Sequence, residues 1–406
     1  IYKRPYEGTD NSDAAMQGYI DWELELVAQL KRDGAHRFRQ ICRRPPTPYL
    51  NGPTPNREDT PELRLPLSAM RRTAAGAALL LAAGLSTLSP ATARAEATEV
   101  RFARNLGLGY LPLYVMQDRG LVEKHAKAAG LGDVKASYTP LGNPTTITEA
   151  TLSGNADFGA AGVPAFIIAW DKTRGNANLT GVAALNAQPA YLNTNKPEIK
   201  SLKDFTDKDR IVVPSVRASY QAIVLQIASE QAFGPGQHAR LDPLTVSLAH
   251  PDGTAALLSG RTEITAHFTS PPYQDQQLQN PAIHKVLSSY DVLGGPASFS
   301  ALWTSAAFRN ANPKLYKAVL AALDEAVGFI KADPQESARI FIRIENSKLP
   351  ADTVAALITH PEIDYSLTPR GIGIFTGFMA RIGSIRNKPA DWRGLFFADI
   401  HDRAGS

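Results

Sequence analysis

Residues 142–164 carry the pattern that most restricts what this chain can fold into. Thr146 is predicted to cap a helix, and Glu149, three residues later, completes a capping box. Gly154 is predicted to end that helix, because glycine adopts the left-handed conformation at low cost. Residues 157–161 then read as a short buried strand. A capped helix, a glycine stop and a buried strand in this order are typical of an α/β domain.

A later stretch, residues 250–268, repeats this pattern. Residues 152–160 align with residues 258–266 through a Leu-Ser-Gly turn, an acidic residue and an alanine. A second correspondence joins Tyr110 and Tyr220, since each follows a strand and a loop and stands near the start of a helix. Two lobes of similar α/β topology are the simplest explanation of both correspondences.

The charge of the chain lies mainly at its N-terminal end. The 406 residues have a net charge of +4, but residues 1–95 hold 13 of the 43 Lys and Arg and 10 of the 39 Asp and Glu. Residues 96–406 are therefore close to neutral, and no nucleic-acid partner is expected.

Cysteine usage restricts the chemistry further. The single cysteine is Cys42, so residues 96–406 hold no disulfide, thiolate nucleophile or cysteine metal site. Neither a His-rich ligand spacing nor a Ser/His/Asp arrangement is visible in the sequence, and no metal and no cofactor are expected.

Residues 1–69 are predicted to be a non-native or disordered N-terminal extension, because they begin with Ile1 and become rich in proline and charge after Arg43. Upstream translation or a fragment joined ahead of the true start explains them most simply. A regulatory or tethering arm is the alternative.

Residues 70–95 are predicted to be a cleaved signal peptide. Arg71 and Arg72 precede a short apolar run, and the small residues at 93–95 fit a cleavage site that leaves a mature start near Glu96. A membrane anchor is less consistent with the sequence, since the run is short, alanine-rich and interrupted by glycine and serine. No cysteine follows the run, so a lipid anchor is not expected there.

Strands alternate with helices along the rest of the chain. Predicted strands include residues 100–103, 179–185 and 211–213, and a long amphipathic helix is predicted from Pro313 to about Ile330. This alternation predicts a mostly parallel sheet in each lobe, flanked by helices.

Several segments in this order resemble the substrate-binding proteins of ABC importers, in the nitrate, sulfonate and taurine branch that is related to the thiamine-precursor binding family. The segments are the signal at 70–95, GYLPLYVMQDRGLVEKH (109–125), NPTTITEATLSGNADFGAAG (143–162), IKSLKDF (199–205) and the Ser-Gly turn at 259–260. The resemblance covers about residues 96–400.

The resemblance implies a two-lobed periplasmic-binding-protein fold of type II, with two crossover strands as the hinge. The first lobe is expected at 96–186 and the second at 187–298, and residues 299–406 are expected to return to the first lobe and supply the C-terminal helices. The resemblance also implies a periplasmic monomer that binds a small anion and delivers it to an ABC permease with ATP-binding subunits. Contact with the membrane is expected only through that permease.

In open α/β sheets a ligand lies at the carboxyl ends of the strands, against helix N-termini that favour an anion. Arg217 lies just before a helix, where its guanidinium can donate two hydrogen bonds to a sulfonate or carboxylate, although a simply solvated side chain is the alternative. His267 is expected to be a hydrogen-bonded wall residue. The predicted substrate-binding residues are Gly109, Tyr110, Asn143, Thr145, Gly162, Gln188, Ser215, Arg217, Ser219, Tyr220, His267 and Phe268. Gly162 to Pro164 is predicted to be a loop.

Three other functions remain open at this stage. A nitrate-binding or thiamine-pyrimidine-precursor-binding protein differs from the first hypothesis only in its ligand. An enzyme of the same fold, such as a pyrimidine synthase, depends in that family on a cysteine-rich motif and iron, and residues 96–406 lack cysteine. A transcriptional regulator needs an N-terminal DNA-binding helix pair, where this chain has a predicted signal peptide. The expectation is therefore a binding protein and not an enzyme.

Overall fold

The computed structural model describes residues 95–406. The predicted N-terminal extension, and all of the predicted signal peptide except its last residue, lie outside the described residues. Within 95–406, every helix is too short or too polar to span a lipid bilayer.

Ten strands and thirteen helices follow one another along the described residues. The strands are β1 (Glu99–Arg104), β2 (Lys135–Pro140), β3 (Phe158–Gly162), β4 (Leu179–Ala187), β5 (Tyr191–Thr194), β6 (Ile211–Val213), β7 (Thr245–Ser247), β8 (Ala266–Thr269), β9 (His284–Ser288) and β10 (Ser298–Ser305). The helices are α1 (Leu111–Asp118), α2 (Leu121–Ala128), α3 (Pro144–Leu152), α4 (Val163–Lys172), α5 (Tyr220–Phe233), α6 (His250–Ser259), α7 (Tyr273–Leu278), α8 (Ser289–Leu293), α9 (Ala306–Ala311), α10 (Pro313–Ala332), α11 (Pro334–Glu345), α12 (Ala351–Ile358) and α13 (Ile372–Arg381).

These strands form two five-stranded sheets with the same internal order. The first sheet runs β2-β1-β3-β10-β4 and the second runs β7-β6-β8-β5-β9. In each sheet four strands share one direction, and only β10 or β5 runs against its neighbours. The predicted pair of mostly parallel α/β sheets flanked by helices is confirmed.

The start of α3 differs from the prediction. Asn143 is the cap: its side-chain oxygen accepts hydrogen bonds from the backbone N–H groups of Thr145 and Thr146 at 2.8 and 3.4 Å. The capping box from Thr146 to Glu149 is therefore wrong. Pro144 explains the earlier start, because its fixed φ suits the first helical position and its missing N–H is not needed there.

The predicted loop from Gly162 to Pro164 is also wrong. Helix α4 begins at Val163, directly after β3, and Pro164 lies in its first turn. Proline is tolerated in a first helical turn because no intrahelical N–H bond is required there. In the second copy, Gly260 caps the C-terminus of α6 with a φ of 60°, as expected, but β8 begins only at Ala266. The repeat therefore holds for the helix and its glycine stop, and the second strand starts late.

The interior of the first sheet is aromatic. Phe102 stacks on Phe158 with ring centroids 5.0 Å apart, and Phe166 stacks on Trp303 at 5.9 Å. Gly159 makes room for this layer, since a Cβ atom there would lie 2.5 Å from the Trp303 ring. The first sheet is therefore held mainly by the burial of apolar surface.

One face of the second sheet carries a buried polar network. The ring nitrogens of His250 and His267 lie 3.3 Å apart, and Gln277 Nε2 lies 2.7 Å from His267 Nδ1. Asn193 and Thr254 also hydrogen-bond to the Gln277 amide, at 3.0 and 3.1 Å. Burial lowers the pKa of His250 to about 3, and burial and the neighbouring His250 lower the pKa of His267 well below its usual value. Both imidazoles are neutral at neutral pH.

The C-terminal segment covers the outer edge of the first sheet. The Phe397 N–H donates to the Gly181 carbonyl of β4 at 2.9 Å, and Phe396 packs on Phe166 with ring centroids 5.2 Å apart. Gly181 permits this close approach, because a Cβ atom there would lie 2.4 Å from the Phe396 ring.

Candidate functional site

The two sheets meet where β1 and β8 end. We call the whole contact between the two sheets the seam. In it, residues 105–110, which follow β1, lie against residues 270–273, which follow β8. The Leu108 N–H donates to the Pro271 carbonyl at 3.0 Å. Gly107 has a φ of 99°, and a Cβ atom there would lie 3.0 Å from the Pro271 oxygen. The carboxyl ends of both parallel sets of strands therefore face one another, as in ligand-binding α/β proteins.

Aromatic side chains fill the middle of the seam. Phe299 of β10 lies between Tyr110 and Tyr220, with ring centroids 6.4 and 4.8 Å apart. Gly109 and Gly162 allow this packing, since a Cβ atom would lie 2.7 Å from Phe299 at Gly109 and 2.9 Å from Tyr220 Cβ at Gly162. Burial raises the pKa of both tyrosines far above the usual value, so they are neutral. The structure brings these four predicted residues together as packing groups.

Unpartnered polar groups lie beside this aromatic layer. Gln188 is fully buried, and neither atom of its side-chain amide has a hydrogen-bond partner among the described residues. Asn186 points its oxygen at the Ser300 hydroxyl, 2.9 Å away, but its Nδ2 atom is unpartnered there too. The Ser270 hydroxyl in the seam is a third such group. A buried unsatisfied polar group costs about 1–3 kcal/mol, so these groups are candidates for hydrogen bonds to a ligand or to ordered water.

We call the part of the molecule built on the first sheet the first half, and the part built on the second sheet the second half. Nearer the surface, two hydroxyl groups link these halves. Thr145 Oγ1, at the start of α3, lies 2.9 Å from Ser215 Oγ in the loop after β6. Ser219 caps α5 by accepting a hydrogen bond from the Ala222 N–H at 3.2 Å. Asn143 and Ser219 are thus engaged as helix caps, whereas Thr145 and Ser215 join the two halves of the molecule.

A cavity of about 530 Å³ opens beside this hydroxyl pair, between α3, α4 and residues 216–218. Its volume is in the range of small-molecule sites. Arg217 and Lys172 are its cations. Glu149 adds a carboxylate, and the remaining lining combines hydroxyl groups with apolar side chains, including Thr145, Thr148, Leu152, Ala165, Ile168 and Val216. A second cavity, of about 550 Å³, lies beside α3 against β1 and holds none of the predicted binding residues.

Arg217 lies at the rim of the first cavity and not in the seam. Its side chain is 70% exposed, and its Nε atom is 3.0 Å from Asp242 Oδ2. Gln226 donates to the same carboxylate at 2.9 Å. The guanidinium thus already has a carboxylate partner on its own half of the molecule.

His267 and Phe268 lie away from the seam. Both belong to β8, both are fully buried, and His267 takes part in the polar network behind the second sheet. Strand alternation explains this placement, because consecutive side chains of a strand point to opposite faces and neither points along the strand to its end.

Sequence reasoning missed a buried charged cluster at the seam. Arg104, at the end of β1, lies 3.3 Å from the Glu345 carboxylate, and its guanidinium stacks 3.9 Å above the Tyr114 ring. The hydroxyls of Tyr114 and Tyr273 donate to the same carboxylate. An arginine at the end of a buried strand was the available signal. The sequence held no signal that Glu345 is the partner of this arginine, because the two residues lie 241 positions apart.

Comparison with known proteins places this architecture among solved structures. No protein-family model and no curated protein matches the sequence. The alkanesulfonate-binding protein SsuA from Xanthomonas axonopodis pv. citri, bound to MOPS, superposes with a TM-score of 0.58 at 16% identity, over 73% of this chain and 96% of that one. The nitrate-binding protein NrtA from Synechocystis PCC 6803 gives 0.57 at 15% identity, over 74% and 84%.

A third similar solved structure is described by its fold. The CA3427 gene product of Candida albicans, described as having the generic periplasmic binding protein fold, superposes with a TM-score of 0.56 at 14% identity, over 72% of this chain and 92% of that one. Together with the repeated strand order and the single antiparallel strand of each sheet, these likenesses identify the architecture. The chain has the two-lobed periplasmic-binding-protein fold.

Proposed function

We propose that this chain is the extracytoplasmic solute-binding component of an ABC importer, which captures a small organic anion between its two halves and delivers it to a permease. The observation that carries the proposal is the group of buried, unpartnered polar atoms of Asn186, Gln188 and Ser270 where the two sheets meet. The likeness to solved sulfonate-binding and nitrate-binding proteins supports the same class of function.

The mechanism we propose is closure around the solute. Residues 105–110 belong to the first half of the molecule and residues 270–273 to the second, so a solute held between them contacts both only when the halves are together. Binding therefore shifts the population towards the closed form, and no chemical step is required of the protein.

The available hydrogen-bonding groups favour a ligand that is rich in acceptors. Asn186 Nδ2 and Gln188 Nε2 are donors, Ser270 can donate, and Gln188 Oε1 is the one obligate acceptor among these groups. The cavity beside α3 adds two cations, Arg217 and Lys172, against the one carboxylate of Glu149, together with apolar walls. A sulfonate, a taurine-like molecule or an aromatic carboxylate combines acceptor oxygens with an organic body and fits both features.

A neutral, pyrimidine-like ligand is the second candidate, and the ion pairs favour it. Arg104 is paired with Glu345 and Arg217 with Asp242, so these two cations already have counter-charges. A ligand bound chiefly by the amides of Asn186 and Gln188 needs no net charge. Nitrate is the inorganic member of the anionic class.

The predicted binding residues take five roles in this proposal. Gln188 hydrogen-bonds the ligand, and Thr145, Ser215 and Arg217 surround the cavity mouth. Asn143 and Ser219 fix the helix N-termini, and His267 and Phe268 support the second sheet from behind. The aromatic and glycine positions that shape the seam are Gly109, Tyr110, Gly162 and Tyr220.

A ligand screen by thermal shift, followed by calorimetry of the hits, tests the proposal on the full chain. The panel contains alkyl and aryl sulfonates, taurine, nitrate, carboxylates and pyrimidines. We expect an anion to raise the melting temperature, and Gln188→Leu to weaken its binding at least tenfold, about 1.4 kcal/mol. Binding that Gln188→Leu leaves unchanged would remove the seam as the ligand site.

Arg217→Ala separates the two ligand classes. Loss of this cation is expected to weaken an anionic hit about tenfold and a neutral hit hardly at all, because only the anion is attracted by the guanidinium. Arg261→Ala is the matched control, since Arg261 is exposed and lies before β8, at the end of the second sheet opposite the seam. Equal losses in both variants would show a general charge effect and no direct contact.

We place the protein in the periplasm, as a monomer that touches the membrane only through its permease. The predicted signal peptide supports this localisation. N-terminal sequencing of the protein recovered from cells tests it: a start near Glu96 is expected, and an uncleaved chain in the cytoplasm would contradict it.

A further inference from the structure

The charged cluster at the seam joins the two halves of the molecule. The charged cluster consists of Arg104, Tyr114, Tyr273 and Glu345. Three of these residues belong to the first half: Arg104 ends β1, Tyr114 lies in α1, and Glu345 ends α11, which packs on α1. Tyr273 is the exception, because it begins α7, which packs on β5 and β8 of the second sheet.

Every strong hydrogen-bonding group of Glu345 is engaged inside this cluster. One carboxylate oxygen accepts from Arg104 at 3.3 Å and from the Tyr114 hydroxyl, and the other accepts from the Tyr273 hydroxyl at 3.1 Å. The side chains of Arg104 and Glu345 are only 3% and 7% exposed. The pair is thus charge-balanced and nearly dry, and the buried Arg104 Nε atom lacks a partner among the described residues.

We propose that Glu345 is a positioning residue for closure, which holds the second half against the first through its hydrogen bond to the Tyr273 hydroxyl. The proposal rests on the proposed function only in assuming that the two halves open and close. Glu345 does not touch the solute in this account, because both of its oxygens are already occupied.

The physical basis is the difference between the closed and open forms. On opening, Arg104, Tyr114 and Glu345 stay together on the first half, and Tyr273 leaves with the second. A hydrogen bond to a charged acceptor contributes more than one between neutral groups, so its loss shifts the equilibrium towards the open form. The apparent affinity for any solute falls with the closed fraction, even though no ligand contact has changed.

The Leu108 amide provides a direct measure of opening without any ligand. It is buried and donates across the seam to Pro271, so it exchanges with solvent deuterium only when the seam separates. Amides within β1 and β6 report global unfolding instead. Hydrogen exchange on the full chain, compared between Tyr273→Phe and the unmodified protein, therefore distinguishes opening from general destabilisation.

We expect Tyr273→Phe to speed exchange at Leu108 by about tenfold, while the amides of β1 and β6 stay within about twofold. Glu345→Gln is expected to have a larger effect, because it also leaves the buried Arg104 without its counter-charge. Tyr138→Phe is the matched control: the Tyr138 hydroxyl is buried in the first half and has no partner among the described residues, so Leu108 should exchange at the unmodified rate.

Two outcomes overturn the inference. If Leu108 exchanges equally fast in Tyr273→Phe and in the unmodified protein, the hydrogen bond does not hold the seam closed. If the amides of β1 and β6 accelerate as much as Leu108, the residue has only a general structural role. Failure of the ligand screen leaves this measurement intact, because the exchange is followed without ligand.

Discussion

The two sheets share one strand order and differ in what holds them together. In the first sheet, Phe158 and Trp303 belong to an aromatic layer, and Gly159 leaves space for it. In the second sheet, the corresponding region holds His267 and Gln277 in a hydrogen-bonded polar network. Equal topology therefore does not require equal interior chemistry. The first half is stabilised chiefly by apolar burial, and the second depends also on the satisfaction of buried polar groups.

Removal of Trp303 is the strongest test of the first half of this comparison. Trp303→Ala deletes a fully buried side chain, and we expect the free energy of unfolding to fall by about 3–5 kcal/mol in denaturant titrations. The loss should be the same at pH 7 and pH 5.5, because a cavity in an apolar layer has no proton linkage. A loss that changes with pH would break the distinction between the two sheets.

Substitution of Gln277 tests the polar half. Gln277→Met keeps a similar volume but removes one hydrogen bond each from Asn193, Thr254 and His267, so we expect a loss of about 1–3 kcal/mol in the free energy of unfolding. Gln279→Met, at an exposed position after the same helix, is the control and should stay within about 0.5 kcal/mol. Equal stability of both variants would mean that the network adds nothing to the second sheet.

Acidification is the gentlest test, and it needs no mutation. The native pKa values of His250 and His267 lie below the ordinary value of about 6.5. As the pH falls from about 6.5 towards 3, the unfolded chain therefore binds protons at these two residues that the native protein does not bind. Stability contributed by the neutral pair is therefore complete above pH 6.5 and is lost on acidification.

Asp275 opposes this effect, since burial raises its native pKa to about 6 and the native protein takes up that proton first. Near pH 5, unfolding therefore binds two protons at the two histidines and releases one from Asp275. This net uptake of one proton lowers the free energy of unfolding by about 1.4 kcal/mol for each unit by which the pH falls. Chemical denaturation at pH 7, 6 and 5 measures it, and His267→Gln should flatten the profile. A flat profile in the unmodified protein would show that the two histidines are not held neutral.

The sequence was sufficient for the architecture. Apolar runs identified β1, β3 and β6, and proline and helical spacing identified the helix that begins at Pro313. The details around proline were wrong for one physical reason. Pro144 and Pro164 both lie in first helical turns, where proline is favoured, whereas the sequence pattern predicts a later helix start at Thr146 and a loop at Pro164.

The candidate site was only partly predictable. Tyr110 and Tyr220 were expected near the ligand from their positions after strands, and both lie at the seam. The pair of Arg104 and Glu345 could not be foreseen, because the contact joins β1 to a helix near the end of the chain. Nor could a pattern of residue types reveal that Gln188 is fully buried with no hydrogen-bond partner within 95–406, since this depends on the packing of both sheets.

The hydrogen bond from Phe397 to Gly181 bears on what happens when the chain is cut short. Ribosome stalling or carboxypeptidase trimming that removes the residues after Gly394 would bare both the polar groups of β4 and the ring of Phe166. An uncovered strand beside an aromatic surface is a template for pairing with another copy. Shortened molecules should therefore aggregate, so the solubility of the folded protein depends on residues 395–406 as well as on the two sheets.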